Sequence, residues 1–117
     1  MAPRLMPSMT NYHRKYGGTI DLVEIDLENL IVTRPWAHKK KVNKYRGFAG
    51  EVKPLAVVGT SDGKRYLVDG HHKGSANFLE GDKRGLVQLL TGANPRLDYL
   101  LQKRDHGYLP EFSLNLK

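Results

Sequence analysis

The sequence contains no cysteine, which excludes disulfide bonds, cysteine-ligated zinc sites and thiol nucleophiles. It also lacks any long apolar run, so neither a signal peptide nor a membrane span is expected. A soluble cytoplasmic protein is therefore the expectation. The 117 residues suit one domain, and the 39% of hydrophobic residues allow a modest core.

Acidic residues are scarce relative to basic ones, because 12 Asp and Glu stand against 19 Lys and Arg, a net charge of +7. A basic surface favours anionic partners such as nucleotides, nucleic acids or acidic proteins. The charge is densest in residues 34–46 (RPWAHKKKVNKYR), where no acid occurs. A helix is predicted over residues 37–46, since Gly47 and Gly50 would end it.

The pattern of apolar residues predicts an α/β (α+β) fold, a small mixed sheet with flanking helices. Strands are predicted at residues 19–25, 30–33, 54–59, 65–69 and 86–90, and further helices at 71–80 and 96–104. The clearest pattern is a hairpin, because Asp62 and Gly63 separate two apolar runs and the glycine can take a positive φ.

Three parts of the chain are expected. Residues 1–18 show no sustained periodicity and are interpreted as a loose N-terminal arm. Residues 19–92 form the domain proper. Residues 93–117 form a C-terminal helix and tail that pack on it.

The candidate site lies where the predicted strand 65–69 meets the predicted helix 71–80, at Asp69, Gly70, His71, His72 and Lys73. A helix start has main-chain N–H groups without intrahelical partners and the positive end of the helix dipole. A glycine there lets an anion approach closely. The pattern predicts a phosphate cradle to which Lys73 adds charge. In the alternative interpretation, Asp69 caps the helix, His71 packs in the core and His72 lies at the surface.

A metal site formed by His71 and His72 is disfavoured, because adjacent histidines point apart and the three other histidines are not suitably spaced. Magnesium bound through Asp69 and phosphate oxygens fits better, since this ion commonly rests on one or two carboxylates and a substrate phosphate.

The run PLAVV, a short turn and then RYLVDGHHK before a helix resembles the ParB/sulfiredoxin superfamily. In that superfamily a hairpin leads into a Gly-x-His-Arg loop at a helix start. The resemblance spans about residues 19–90 and is most specific over 66–73. It implies binding of a nucleotide (ATP, ADP or CTP) with Mg²⁺ at the loop. It also implies that Arg34, Lys41 and Lys44 face the phosphates across the cleft.

The departures from the superfamily pattern narrow the chemistry. His71 stands where sulfiredoxins have their cysteine, which excludes sulfinic acid repair. Lys73 replaces the usual arginine, keeping the charge but losing the planar fork. Arg34 stands where the free-serine kinases have a carboxylate. The second arginine-rich box and the DNA-binding helices of ParB proteins are absent.

Three functions therefore stay open. The first is a small NTPase or phosphotransferase, a hydrolase or transferase in which His72 and Asp69 are catalytic and Arg34 and Lys73 neutralise charge. The second is a DNA- or RNA-binding or nuclease-type protein of plasmid or phage origin that uses residues 34–46, without a helix-turn-helix. The third is a non-catalytic regulatory module that binds a nucleotide, a protein partner or a second copy.

Two aromatic residues near the basic segment have open roles. Trp36 and Tyr45 could each stack on a base. A lone tryptophan at the start of an amphipathic helix is more often part of the core, and this is the favoured interpretation of Trp36.

Overall fold

A computed structural model describes residues 4–46 and 54–117 of the protein. The elements are, in chain order, α1 (Pro7–Tyr16), β1 (Thr19–Asp26), β2 (Leu30–Val32), α2 (Lys39–Arg46), β3 (Leu55–Gly59), β4 (Arg65–Asp69), α3 (His71–Leu79), β5 (Arg84–Thr91), α4 (Pro95–Gln102) and α5 (Leu109–Leu114). A 3₁₀ turn at Leu27–Asn29 joins β1 to β2. Gly47 and Gly50, expected to end α2, lie outside the described residues.

The strands form one mixed sheet in the order β1-β5-β3-β4-β2. β1 runs antiparallel to β5, and β3 runs antiparallel to β4. The β3–β5 and β4–β2 pairs are parallel. The prediction of an α/β (α+β) fold with a small mixed sheet and flanking helices is confirmed.

The core has two layers, one on each side of the sheet. Leu55 and Val57 of β3 pack in a cluster with residues of α2, α3 and α5. The alternate residues Ala56 and Val58 pack in a second cluster with residues of α1 and α4. Because β3 is buried on both faces, its sequence is a continuous apolar run rather than an alternating one.

The predicted hairpin is present between β3 and β4. Gly63 adopts a φ of +84°, which glycine tolerates without strain. The Thr60 N–H donates to the Lys64 carbonyl at 2.9 Å, and the Gly63 N–H donates to the Thr60 carbonyl at 3.0 Å. The hairpin brings the chain directly into β4 and the start of α3.

Residues 7–16 form a helix, where the sequence predicts a loose arm. Pro7 suits the first turn of α1, whose N–H groups need no intrahelical acceptor, and Met9 is fully buried. The buried Gln88 side chain holds the preceding chain: its Oε1 accepts from the Met6 N–H at 2.9 Å and its Nε2 donates to the Arg4 carbonyl at 2.7 Å. Residues 4–16 are therefore part of the packed structure.

The C-terminal residues also contribute to both layers of the core. Leu97 and Leu101 of α4 lie in the second cluster, and Leu109 and Phe112 of α5 lie in the first. No helix within residues 4–46 and 54–117 is long and apolar enough to cross a membrane.

Candidate functional site

The end of β4 and the start of α3 border a small polar cavity of about 170 Å³, which we call the loop pocket. It is lined by Arg34, Tyr45, Val68, Asp69, Gly70, His71, His72 and Lys73. The structure thus brings Arg34 beside the predicted loop, across 34 intervening residues.

Gly70 makes the sharp turn from strand to helix. Its φ is +94°, and a Cβ atom at this position would lie 2.9 Å from Leu55 Cδ2. Both the conformation and the contact therefore favour glycine. The Gly74 N–H donates to the Gly70 carbonyl at 2.7 Å. Gly74 supplies the first N–H group of α3 that bonds within the helix. The N–H groups of residues 71–73 come before it in the chain and lie at the positive end of the α3 dipole.

Asp69 is exposed and lies at the edge of the loop pocket. Its Oδ1 accepts from the Gly70 N–H at 2.8 Å, and its Oδ2 accepts from the Ser8 hydroxyl at 3.1 Å. The carboxylate therefore fixes the glycine turn and links it to α1. Each oxygen retains a further lone pair for a ligand.

His71 is buried, with 3% of its surface exposed. Its Nε2 accepts from the Thr33 N–H at 3.1 Å, and the Thr33 hydroxyl donates to the Leu67 carbonyl at 2.8 Å. Burial lowers the pKa of His71 to about 3, and the positive charges of Arg34 and His72 add to the shift. The neutral ring joins the end of β2 to α3, so the main-chain N–H is the part of His71 suited to an anion.

His72 is half-buried, and its ring lies parallel to that of His38 with centroids 5.9 Å apart. Its Nε2 accepts from the His38 N–H at 3.2 Å. Burial lowers the pKa of His72, and the positive charges of Arg34 and Lys41 lower it further. The ring is therefore neutral near pH 7 with its proton on Nδ1, which makes that nitrogen a hydrogen-bond donor.

The predicted cations divide into two groups. Arg34 and Lys73 line the loop pocket. Lys41 and Lys44 are exposed on α2 and do not line it, although the charge of Lys41 acts on His72.

The two aromatic candidates also separate. Tyr45 lines the loop pocket and is 40% exposed. Trp36 is half-buried rather than in the core. The ring centres of Trp36 and His38 lie 4.6 Å apart in an edge-to-face arrangement, and Lys117 Nζ lies 5.7 Å from the Trp36 ring centre.

Sequence reasoning missed three residues that hold the site together: Ser8, Thr33 and His38. Two of them act through a main-chain N–H group, which any residue type could supply. The contacts join positions 34 to 61 residues apart, so no local pattern indicates them.

The described part of the chain supplies too few carboxylates near the loop pocket for a metal centre built from those residues alone. Within the two described ranges, no group of three or more histidine, aspartate or glutamate side chains could hold a metal ion. Among the described residues that line the pocket, Asp69 is the one carboxylate. This set fits a magnesium ion that is shared with a phosphate ligand.

Comparisons with known proteins inform the fold. No protein-family model and no curated protein matches the sequence. The structure is similar to that of protein Atu1540 from Agrobacterium tumefaciens, with a TM-score of 0.57 and 21% identity. The match covers 74% of this chain and 49% of the other, so this chain spans about half the length of that structure. A likeness at this level supports the fold alone, and the resemblance to the ParB/sulfiredoxin superfamily stays a prediction.

Proposed function

We propose that the loop pocket binds the phosphate groups of a nucleotide. The observation that carries the proposal is the meeting of three anion-binding features in one cavity. These are the start of α3, the close approach allowed by Gly70, and the two cations Arg34 and Lys73. Helix starts of this kind combine oriented N–H groups with a favourable dipole.

The size of the cavity limits which part of the ligand enters it. Sites that enclose whole drug-sized ligands usually exceed about 300 Å³, whereas the loop pocket measures about 170 Å³. The phosphates would occupy it and the base would lie outside. Tyr45 lies at this boundary with 40% of its surface exposed, and stacking on its ring would add roughly 1–3 kcal/mol.

The charges in the pocket favour an anion accompanied by magnesium. Arg34 and Lys73 attract phosphate, while the Asp69 carboxylate opposes it. A magnesium ion held by Asp69 and phosphate oxygens would supply charge neutralisation when bound. Nucleotide affinity should therefore rise with magnesium.

The hydrogen bonding of His72 favours a role as a hydrogen-bond donor to phosphate over a role as a base. Because its Nε2 accepts from the His38 N–H, the ring carries its proton on Nδ1. That nitrogen donates a hydrogen bond and cannot accept a proton. His72 would thus bind a phosphate oxygen, and Asp69 would be the base of any NTPase or phosphotransferase reaction. A non-catalytic regulatory module in the cytoplasm is the simplest form of the proposal.

The test is a thermal-shift titration with ATP, ADP, CTP and inorganic phosphate, each with and without magnesium. A ligand at 100 times its Kd stabilises a protein by roughly 2.7 kcal/mol, which is several degrees for a domain of this size. Arg34→Gln should weaken binding about tenfold, because it removes a charged contact. Arg96→Gln, an exposed position on α4, makes the same charge change as a control.

Nucleotide binding at the loop pocket would be contradicted if no nucleotide raised the melting temperature. It would also be contradicted if Arg34→Gln and Arg96→Gln reduced nucleotide affinity equally. Turnover would be supported if the protein released phosphate from a bound nucleotide and the Asp69→Asn variant did not.

Nucleic-acid binding is a second candidate because α2 exposes several cations beside the loop pocket. Its exposed basic residues are Lys39, Lys40, Lys41, Lys44 and Arg46, of which Arg46 pairs with Glu80 at 2.6 Å. Contacts from such cations to phosphates would be independent of sequence and strongly weakened by salt. Lys39→Gln combined with Lys40→Gln should weaken DNA or RNA binding while leaving mononucleotide binding unchanged.

A further inference from the structure

A groove lies between α1 and α4, on the side of the sheet that carries the second core cluster. We call it the tyrosine groove. It encloses about 360 Å³ and is lined by Tyr12, Tyr16, Leu97, Leu100, Leu101, Lys103 and Arg104. The loop pocket, at the start of α3, shares none of these residues.

The inside of the groove is apolar. Leu97 and Leu101 belong to the core and form its floor. Tyr12 and Tyr16 form a wall, with their rings stacked at 6.2 Å and an angle of 28°. Leu100, half-buried, completes the lining. The groove is small, but it shares with interaction sites an apolar interior that opens to solvent inside a polar rim.

The rim of the groove is basic. Lys103 and Arg104 follow the end of α4, and Arg104 Nη1 donates to the Tyr12 hydroxyl at 3.4 Å. On the other side, Lys15 Nζ lies 5.5 Å from the Tyr16 ring centre. Arg14 precedes it in α1, a helix without any acidic residue.

The nearest acidic side chains in sequence have other partners. Asp98 of α4 accepts from both the N–H and the hydroxyl of Ser61, at 3.2 and 2.7 Å. Asp105 accepts from the Gly107 N–H at 2.8 Å. These neutral donors leave both carboxylates charged, but the four cations Arg14, Lys15, Lys103 and Arg104 outnumber the two carboxylates, so the rim presents a net positive edge to a ligand.

We propose that the tyrosine groove binds an acidic amphipathic helix from a partner protein. The apolar floor would take leucine-type anchors, and the basic rim would pair with glutamate or aspartate on the flanks of that helix. Residues 97–102 of α4 span about 9 Å of helix, and Lys103 and Arg104 extend the groove beyond the helix end. This length accommodates roughly two turns of a partner with anchors spaced at i, i+3 or i+4, and i+7.

A second copy of this chain is a poorer occupant, because two groove rims would bring like charges together in a protein with a net charge of +7. The contact area is small, so binding to the acidic helix should be transient and weakened by salt. The inference is independent of nucleotide binding, since it uses other residues.

The test uses two fluorescein-labelled 16-residue peptides with identical leucines at positions 5, 8 and 12. One has glutamates on the flanking positions and the other has lysines. Fluorescence anisotropy should show binding of the acidic peptide that is at least about tenfold tighter than that of the basic peptide. Raising the salt concentration should weaken the binding.

Two variants of the protein locate the binding. Lys103→Glu with Arg104→Glu should abolish binding of the acidic peptide, and so should Leu100→Glu. Lys39→Glu with Lys40→Glu on α2 makes an equal charge change away from the groove and should reduce affinity only slightly. Should Leu100→Glu fail to fold by circular dichroism, the double reversal at the exposed rim decides the question.

Any of four results would overturn the proposal, and the first three come from the peptide experiments. They are equal affinity for the two peptides, an effect of the α2 reversal as large as that of the rim reversal, and no binding of the acidic peptide. A dimer in analytical ultracentrifugation that Leu100→Glu converts to monomer would also overturn it, since the groove would then belong to a second copy.

Discussion

The loop pocket and the tyrosine groove are both basic, but they present their charge in opposite settings. In the loop pocket, cations and main-chain N–H groups surround a small cavity of about 170 Å³. In the groove, cations border an apolar depression of about 360 Å³. The first arrangement suits a compact anion and the second suits apolar side chains with acidic neighbours. A net charge of +7 therefore does not identify one kind of partner.

The buried titratable groups differ between the two sides as well. His71, beside the loop pocket, is a base kept neutral by burial. Tyr66, in the core cluster below the groove, is an acid whose pKa is raised, chiefly by burial and then by the charge of Asp105. Acid should therefore destabilise the protein through the loop side, and alkali through the groove side.

The largest effect expected is that of Gly70→Ala. A Cβ atom there would be strained by the φ of +94° and would press on Leu55 at 2.9 Å. The free energy of unfolding should fall by roughly 3 kcal/mol, the sum of a backbone cost and an overpacking cost. Gly81→Ala is the control, because its φ is +90° with no atom within 4 Å. It should cost about 1 kcal/mol, and equal losses in urea unfolding would refute the contact with Leu55.

The next effect concerns acid. The unfolded chain binds a proton at His71 below its ordinary pKa of 6.5, whereas the folded chain does so only near pH 3. Stability should therefore fall as the pH drops below 6.5, by roughly 2 kcal/mol between pH 6.5 and 4.5. His71→Gln keeps an acceptor for the Thr33 N–H but cannot titrate, so urea unfolding of this variant should depend much less on pH. An unchanged dependence would assign the effect to other groups.

The outcome for the two adjacent histidines shows why a site resists prediction from sequence. His71 and His72 are equivalent in pattern, but one is buried against Thr33 and the other lines the loop pocket beside His38. Residues next to each other on a helix point about 100° apart. Which of the two faces the core depends on how α3 lies on the sheet, which is a tertiary contact.

The fold was most predictable where local chemistry is strong. The bounds of β4 match the prediction because Arg65–Asp69 follows a recognisable turn and precedes a glycine. The first helix was missed because its apolar residues Met9 and Tyr12, with Met6 just before it, pack only once Gln88 holds the preceding chain against β5. The strand order likewise depends on pairing that no single segment encodes.

A pair of charge variants should separate the two sites. Arg34→Gln should weaken nucleotide binding about tenfold, or roughly 1.4 kcal/mol, and leave affinity for the acidic peptide within twofold. Lys103→Glu with Arg104→Glu should abolish binding of the acidic peptide and leave nucleotide affinity unchanged. Both are measured on the same preparations by thermal shift and anisotropy. Loss of both activities in either variant would mean that the two sites are coupled or that a general electrostatic field governs binding.

The smallest effect should come from Tyr66→Phe, beneath the tyrosine groove. Within the described residues the Tyr66 hydroxyl is buried without a hydrogen-bond partner, and such a group costs free energy in the folded state. Its removal should leave stability unchanged or raise it by up to about 1 kcal/mol, and should reduce the loss of stability above pH 10. Thr33→Val, on the loop side, removes a buried hydroxyl that donates to Leu67 at 2.8 Å and should cost about 1 kcal/mol. If urea unfolding shows that Tyr66→Phe costs as much as Thr33→Val, the Tyr66 hydroxyl has a partner, and the contrast between the two sides is weaker than the structure indicates.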